Sequence, residues 1–291
     1  MKIQEYISKA AERMNGSVLC YSHGTDNPHD EAFYIVFGSL EINFSEFENI
    51  ERQLTTVEIS RLDALVQQRI DSRLPAAYIV GKAWFAGHVF HCDDRALVPR
   101  SPIAELILGD FQPLISRPPL AVLDLCTGGG CIGIAMALQW PQSKVDLLDV
   151  SEEALSLAES NIELHGLQGR VRTIKSDLFD SLTGRYDLIV ANPPYVSREE
   201  YDDLPAEFTH EPELGLVSAE EGLQIPLQIL REAVDYLTDS GLLVMEVGYS
   251  HEALAQRLQG VPLLWLEFEH GGDGVLALSA AQLQQYREQF N

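Results

Sequence analysis

From residue 121 onward the chain alternates short apolar strand segments with amphipathic helical ones, and that alternation limits its possible folds more than any other feature. "AVLDLC" reads as a buried strand and "CIGIAMALQW" as a helix. "KVDLLDV" is a second strand. The helix in "SEEALSLAESNIELHG" opens on a Ser151 cap with Glu152 and Glu153 behind it. "VRTIKSD" and "YDLIVAN" read as third and fourth strands. "IPLQILREAVDYL" is a helix ending in the turn "TDSG", "LLVMEVG" a fifth strand, and "HEALAQRLQ" a further helix. "LLWLEFE" and "VLALS", joined through Gly271-Gly272-Asp273-Gly274, close the pattern as two more strands. Repeated βα units imply a parallel sheet covered on both faces. The last two strands are joined too tightly for a helical crossover, which implies an antiparallel edge. The expected class is α/β, with a mostly parallel seven-stranded sheet.

The first 75 residues carry a different pattern. Ile3, Tyr6, Ile7 and Ala10 fall on one helical face. After the loop "YSHGTDNPHDEA", Asn27 or Thr25 is placed to cap a second helix, with Pro28 in its first turn and Asp30 and Glu31 near its positive end. "TTVEISRLDALVQQRIDSR" predicts a third, with Val57, Leu62, Leu65, Val66 and Ile70 as its apolar stripe. From Tyr78 to Val98, aromatic and β-branched residues around Gly81 and Gly87 predict a β-hairpin, and Ser101-Pro102 a helix start. The expected organisation is a helical domain over 1–75, a hairpin-and-helix linker over 76–117, and the α/β domain over 118–291.

Candidate chemistry gathers at the strand ends. "DLCTGGGCIG" puts Asp124 at the end of the first strand and Cys126, Thr127, Gly128, Gly129 and Gly130 in the turn that follows. Glycines there let a backbone approach a ligand closely. The spacing is D-x-C-x-G-x-G, not the dinucleotide GxGxxG, so taken alone it is equally a tight loop. Asp149 ends the second strand and can accept from ribose hydroxyls. Asp177 ends the third and can accept from an adenine amino group, while the Leu178 N–H meets a ring nitrogen. Each acid alone is equally a helix cap. Three at successive strand ends beside a glycine loop point to a nucleoside-bearing cofactor at the switch point of an open sheet.

The fourth strand ends in "NPPY", Asn192-Pro193-Pro194-Tyr195. The prolines fix the backbone and present carbonyls rather than N–H donors. The Asn192 side-chain oxygen and the Pro193 carbonyl can accept the two hydrogens of a planar –NH2 group, and the Tyr195 ring can pack on its flat face. The same motif is also a rigid turn after a strand. Beside a cofactor site, the reaction it suits is methyl transfer from a sulfonium to an amide or aryl amine nitrogen.

"VLDLCTGGGCIGIAMAL", "SDLF" and "NPPYV" resemble the class I S-adenosylmethionine-dependent methyltransferases, and within them the HemK/PrmC-like N5-glutamine methyltransferases. "HGTDNPHDEA", "AWFAGHVF", "VPRSPIAELI", "HEPELGL" and "WLEFEHGGDGV" are similar to the PrmB-type branch, which methylates a glutamine of large-subunit ribosomal protein three. The resemblance runs from about Tyr21 to Val275. It implies a Rossmann-like fold and S-adenosyl-L-methionine as cofactor. It also implies that Cys126 to Gly130 meet the methionine part, Asp149 the ribose, Asp177 and Leu178 the adenine, and Asn192 to Tyr195 the glutamine amide. Cys126 stands where broader relatives carry glycine, but the PrmB-type pattern has cysteine there. Arg100-Ser101 stands where the release-factor enzymes have Arg-Pro, which favours the ribosomal protein as substrate. The resemblance further implies that the N-terminal helices help select it.

Charge bears on the partner independently. The chain has a net charge of -24, which repels nucleic-acid phosphates and attracts basic proteins. Residues 198–221 hold nine acids against one base, Arg198, a negative rim beside "NPPY" that is read either as a docking face or as a solvated surface. The four cysteines form no CxxC pair, so no zinc site is expected. "MKIQEYISKAAERM" lacks a signal-peptide core, and no apolar run approaches the ~20 residues of a membrane helix. A cytoplasmic location without membrane attachment is expected. The rival readings are a release-factor glutamine methyltransferase, a DNA adenine-N6 methyltransferase opposed by the charge, and a noncatalytic ribosome assembly factor.

Overall fold

Alternate residues of the central strands enter opposite cores. The computed structural model describes residues 1–44 and 46–291. In β3 (Ala121–Leu125), Val122 joins one core while Leu123 and Leu125 join the other. β4 (Lys144–Asp149), β6 (Tyr186–Ala191) and β7 (Leu237–Glu246) split the same way, with Leu147, Val190 and Val244 opposite Leu148, Ile189 and Leu243. A period of two with both faces apolar is what a doubly covered sheet demands. With β5 (Val171–Lys175), β8 (Leu264–Trp265) and β9 (Val275–Ser279), seven strands lie in the order β5-β4-β3-β6-β7-β9-β8. The first five are parallel, and β9 runs antiparallel to both β7 and β8.

Helices α5 (Ile103–Leu108), α6 (Cys131–Gln139) and α7 (Glu152–Leu164) cover one face. α9 (Gln224–Glu232), α10 (His251–Arg257) and α11 (Ala280–Tyr286) cover the other. The Ser151 hydroxyl caps α7, accepting from the Ala154 N–H at 3.1 Å, a contact worth about 1 kcal/mol. Chain order reverses between β3 and β6, which makes the switch point lie between their C-terminal ends. A short helix, α8 (Arg198–Asp202), follows β6.

At the N-terminus, α1 (Ile3–Asn15), α2 (Pro28–Ser39) and α3 (Thr56–Ser72) share a separate core of Ile3, Tyr6, Ile7, Ile35, Phe37 and Leu62, among others. Asn27 caps α2 through its side-chain oxygen, which accepts from the His29 and Asp30 N–H groups at 3.0 and 2.9 Å. After α4 (Ala76–Val80), β1 (Lys82–Phe85) and β2 (His88–His91) pair as an antiparallel hairpin.

Four local expectations change. Val57 is 78% exposed; the inner face of α3 is Leu62, Val66 and the buried Arg69. "TDSG" is not a turn before the fifth strand but lies inside β7, where the register slips between Tyr186 and Leu188. The bulge is held by Thr238 Oγ1, which donates to Asp187 Oδ1 at 3.3 Å. Only Leu264–Trp265 of "LLWLEFE" is strand. α11 has no counterpart in the sequence reading; its Ser279–Gln282 capping box is a start signal that marks it.

Candidate active site

A cleft of about 460 Å³ opens at the C-terminal ends of the five parallel strands. It brings together Cys126, Thr127, Gly128 and Gly129 after β3, Asp149 and Ser151 after β4, Asp177 and Leu178 after β5, and Asn192, Pro194 and Tyr195 after β6. Asp124, Gly130 and Pro193 are buried and do not line it.

Asp124 lies behind the glycine turn. Its Oδ2 accepts from Thr127 Oγ1 at 2.6 Å and from the Gly133 N–H at 2.8 Å, while Oδ1 is buried without a partner. Burial pushes its carboxyl up to about 7 against those two hydrogen bonds. It therefore ties the turn to the start of α6 rather than facing a ligand. A side chain on Gly133 would collide with Leu147 and with Asp124 itself, so glycine lets the helix sit on the carboxylate.

Asp149 points its groups at the turn and at the next helix. Oδ2 accepts from the Gly128 N–H at 2.8 Å and Oδ1 from the Ser151 N–H at 3.0 Å. Burial raises its carboxyl, and these N–H groups oppose the rise. Two non-glycine residues that line the cleft, Cys126 (φ 59) and Leu178 (φ 40), hold left-handed backbone at the ends of β3 and β5. Such conformations cost on the order of 1–3 kcal/mol and persist where surrounding structure enforces them, a pattern common at binding sites.

At the far end, Tyr195 packs its ring on the backbone of Gly248, where any side chain would overlap it. Its hydroxyl donates to Glu246 Oε1 at 3.3 Å. Ser101 Oγ donates to Glu246 Oε2 at 2.5 Å and accepts from the Ile103 N–H at 3.2 Å, joining the cleft to the start of α5. Glu246 lies one residue beyond the β6–β7 pair Ala191–Met245, and so beside Asn192. Burial raises its carboxyl, offset in part by Ser101, Tyr195 and Arg100. Sequence reading passed over Glu246, although a lone acid ending an apolar strand is the same signal that marked Asp149 and Asp177.

The segment after "NPPY" folds back as a wall, bridged to its own start by Val196 and Val217, with Leu214, Gly215 and Leu216 on the cleft. This revises the acidic rim. Glu207 and Glu211 are 0% and 3% exposed. Glu211 takes a bidentate contact from Arg100 at 2.6 and 2.7 Å, the Val98 N–H at 2.8 Å and His23 Nε2 at 3.2 Å. Burial pushes Glu211 up, but His23 and Arg100 outweigh it and hold the carboxyl at about 2. Glu207 accepts from Arg69 at 3.3 Å and from the Cys20 N–H at 2.9 Å, and Arg69 also grips Glu31 at 2.6 Å. Two of the nine acids thus bolt the wall to the N-terminal helices. Glu199, Glu200, Asp202, Asp203, Glu213, Glu220 and Glu221 remain exposed, and Glu213 is paired with Arg198. Among the described residues no cluster of three or more histidine, cysteine, aspartate or glutamate side chains is placed to hold a metal, and no helix is long and apolar enough to cross a membrane.

Sheet order, switch-point cleft and glycine turn are features this chain shares with methyltransferases. The methyltransferase small domain family matches residues 104–218. The hMettl16 catalytic domain, in its complex with MAT2A 3'UTR hairpin 1, shares the fold with a TM-score of 0.54 at 17% identity, covering 95% of this chain and 90% of that one. Two curated relatives are much nearer, and both are named ribosomal protein uL3 glutamine methyltransferase. The one from Francisella tularensis subsp. tularensis is 42% identical over 99% of this chain and 93% of its own length. The one from Xanthomonas campestris pv. campestris is 46% identical over 97% and 92%. The chain belongs to the ribosomal protein uL3 glutamine methyltransferase family.

Proposed function

We propose that this enzyme transfers a methyl group from S-adenosyl-L-methionine to the side-chain amide nitrogen of a glutamine in ribosomal protein uL3, the large-subunit ribosomal protein three. What carries the reading is one juxtaposition: the glycine turn after β3 and the acids at the ends of β4 and β5 share a single cleft with Asn192, Pro194 and Tyr195 after β6. The cofactor supplies an electrophilic methyl group. Asp149 would hold its ribose, Asp177 and Leu178 its adenine, and Cys126 to Gly129 its methionine part. The fit is supported by the left-handed Cys126 and Leu178, both on the cleft wall, and by an Asp149 carboxylate already fixed by two N–H groups.

A carboxamide nitrogen is a poor nucleophile because its lone pair is conjugated with the carbonyl. Asn192 Oδ1, on the cleft wall, would accept from its –NH2 group and turn the lone pair toward the methyl group, with the buried Pro193 fixing the turn behind it. As the nitrogen gains positive charge this acceptor strengthens, so it favours the transition state over the bound substrate. Tyr195, steadied by Glu246 and Gly248, would pack on the amide plane. Alignment of nucleophile and methyl group supplies the rest, with effective molarities of roughly 10⁵ M or more attainable. The methylated nitrogen is strongly acidic and sheds its proton without a dedicated base. Residues 118–291 would carry the transfer, 76–117 link, and 1–75 help to select the substrate. The net charge of -24 suits a basic protein partner. Incubation with labelled cofactor and unmodified uL3 tests the reading: label on a glutamine supports it, and a folded, cofactor-binding enzyme that leaves uL3 unlabelled removes it.

A further inference from the structure

A second hollow, of about 280 Å³, adjoins the cleft and shares Val98 and Pro99 with it. Its walls include Phe33 and Tyr34 of α2, Phe44, and Trp84 of β1. Phe44 and Tyr34 both meet Trp84 edge-on, with ring centres 4.0 and 5.2 Å away. Asp30 stands at the rim with its side chain 61% exposed.

His23 lines the same hollow and is 4% exposed. Its Nε2 faces Glu211, whose carboxylate is acceptor-only because Arg100 grips it with two N–H groups. Nε2 therefore carries the proton. Nδ1 is buried without a partner. The chain His23–Glu211–Arg100 also runs from this hollow to the cleft, since Arg100 lines the cleft.

An aromatic lining and a rim carboxylate favour the same guest, a cation bearing N–H donors. We infer that the hollow receives a lysine or arginine side chain of the substrate protein, from a position within a few residues of the target glutamine. This rests on the reading of the substrate as a basic ribosomal protein and adds where that protein is gripped.

The test is steady-state methylation of full-length uL3 by the whole enzyme carrying Asp30→Asn or Phe44→Leu, with circular dichroism and cofactor titration as fold checks. Phe44→Leu raises KM for uL3 by about tenfold, in line with a partly desolvated cation–π contact, and Asp30→Asn by about two- to threefold, the scale of an exposed ion pair, while kcat and cofactor affinity hold. Replacing each lysine and arginine near the glutamine by glutamine, one at a time, identifies one whose loss raises KM on the wild type but adds little on either variant. Unmoved KM in both variants, or full additivity with every substrate cation, overturns the hollow as a subsite. A wild type that leaves uL3 unmethylated overturns the parent reading instead, and the hollow with it.

Discussion

Glu211→Gln isolates the bolt between the cleft wall and the rest of the enzyme. The carboxylate accepts four donors, from Arg100, Val98 and His23. Glutamine keeps the volume but turns an –NH2 group toward some of those donors and leaves the Arg100 charge without its partner. The magnitude follows from proton linkage. A carboxyl held at about 2 against an ordinary 4.5 stabilises the fold by roughly 3 kcal/mol, at about 1.4 kcal/mol for each tenfold change in proton affinity. Because the folded value is the lower one, this stability is fully present above pH 4.5 and is lost as the pH falls toward 2. The variant should therefore unfold about 6–12 °C earlier at pH 7. The gap from the wild type should close as both are acidified below pH 4.5. Thermal melts across pH 3 to 8 measure both. A melting point within 1 °C of wild type at pH 7, or a gap that persists undiminished below pH 4, refutes the reasoning.

Asp124→Asn should behave in the opposite sense. A carboxyl raised to about 7 weakens the fold as the pH climbs from its ordinary 3.8 to 7, so denaturant titrations should show the variant gaining about 3 kcal/mol on the wild type between pH 5 and 8. Asn192→Ala should lower methylation by about 10²–10³-fold, the scale of one lost transition-state contact, with cofactor affinity by calorimetry unchanged; comparable loss of both would contradict its role at the amide. Gly222→Ala forces a side chain at φ 85 into the Tyr195 carbonyl and should cost about 2–4 kcal/mol of stability together with activity; a variant of wild-type stability and rate would refute the packing argument.

The sheet was legible because both-face burial leaves runs such as "AVLDLC" and "YDLIVAN" that only a covered parallel strand explains. The cleft positions of Asp149, Asp177, Asn192, Pro194 and Tyr195 were legible because polar or rigid groups close several successive apolar strands, although each alone could equally be a cap or a turn. Asp124 looked like a member of that set and is not on the cleft wall, because a strand-end acid can equally turn inward to hold the next helix. Glu207 and Glu211 read as surface charge. Their partners Arg69, Arg100 and His23 lie more than 100 residues away in sequence, and no local pattern reports a tertiary ion pair. The "TDSG" bulge was misread for the same cause, since its anchor Asp187 belongs to the neighbouring strand.

In the proposed reaction one cleft presents a methyl donor to a glutamine amide gripped at the end of β6. Peptide mass analysis of uL3 after incubation with the enzyme and S-adenosyl-L-methionine tests it most directly. A single added methyl group on one glutamine side-chain nitrogen is expected, formed about 10²–10³-fold more slowly with Asn192→Ala. Methyl groups found on lysine, on arginine or on nucleic acid, with every glutamine of uL3 unmodified, would contradict it.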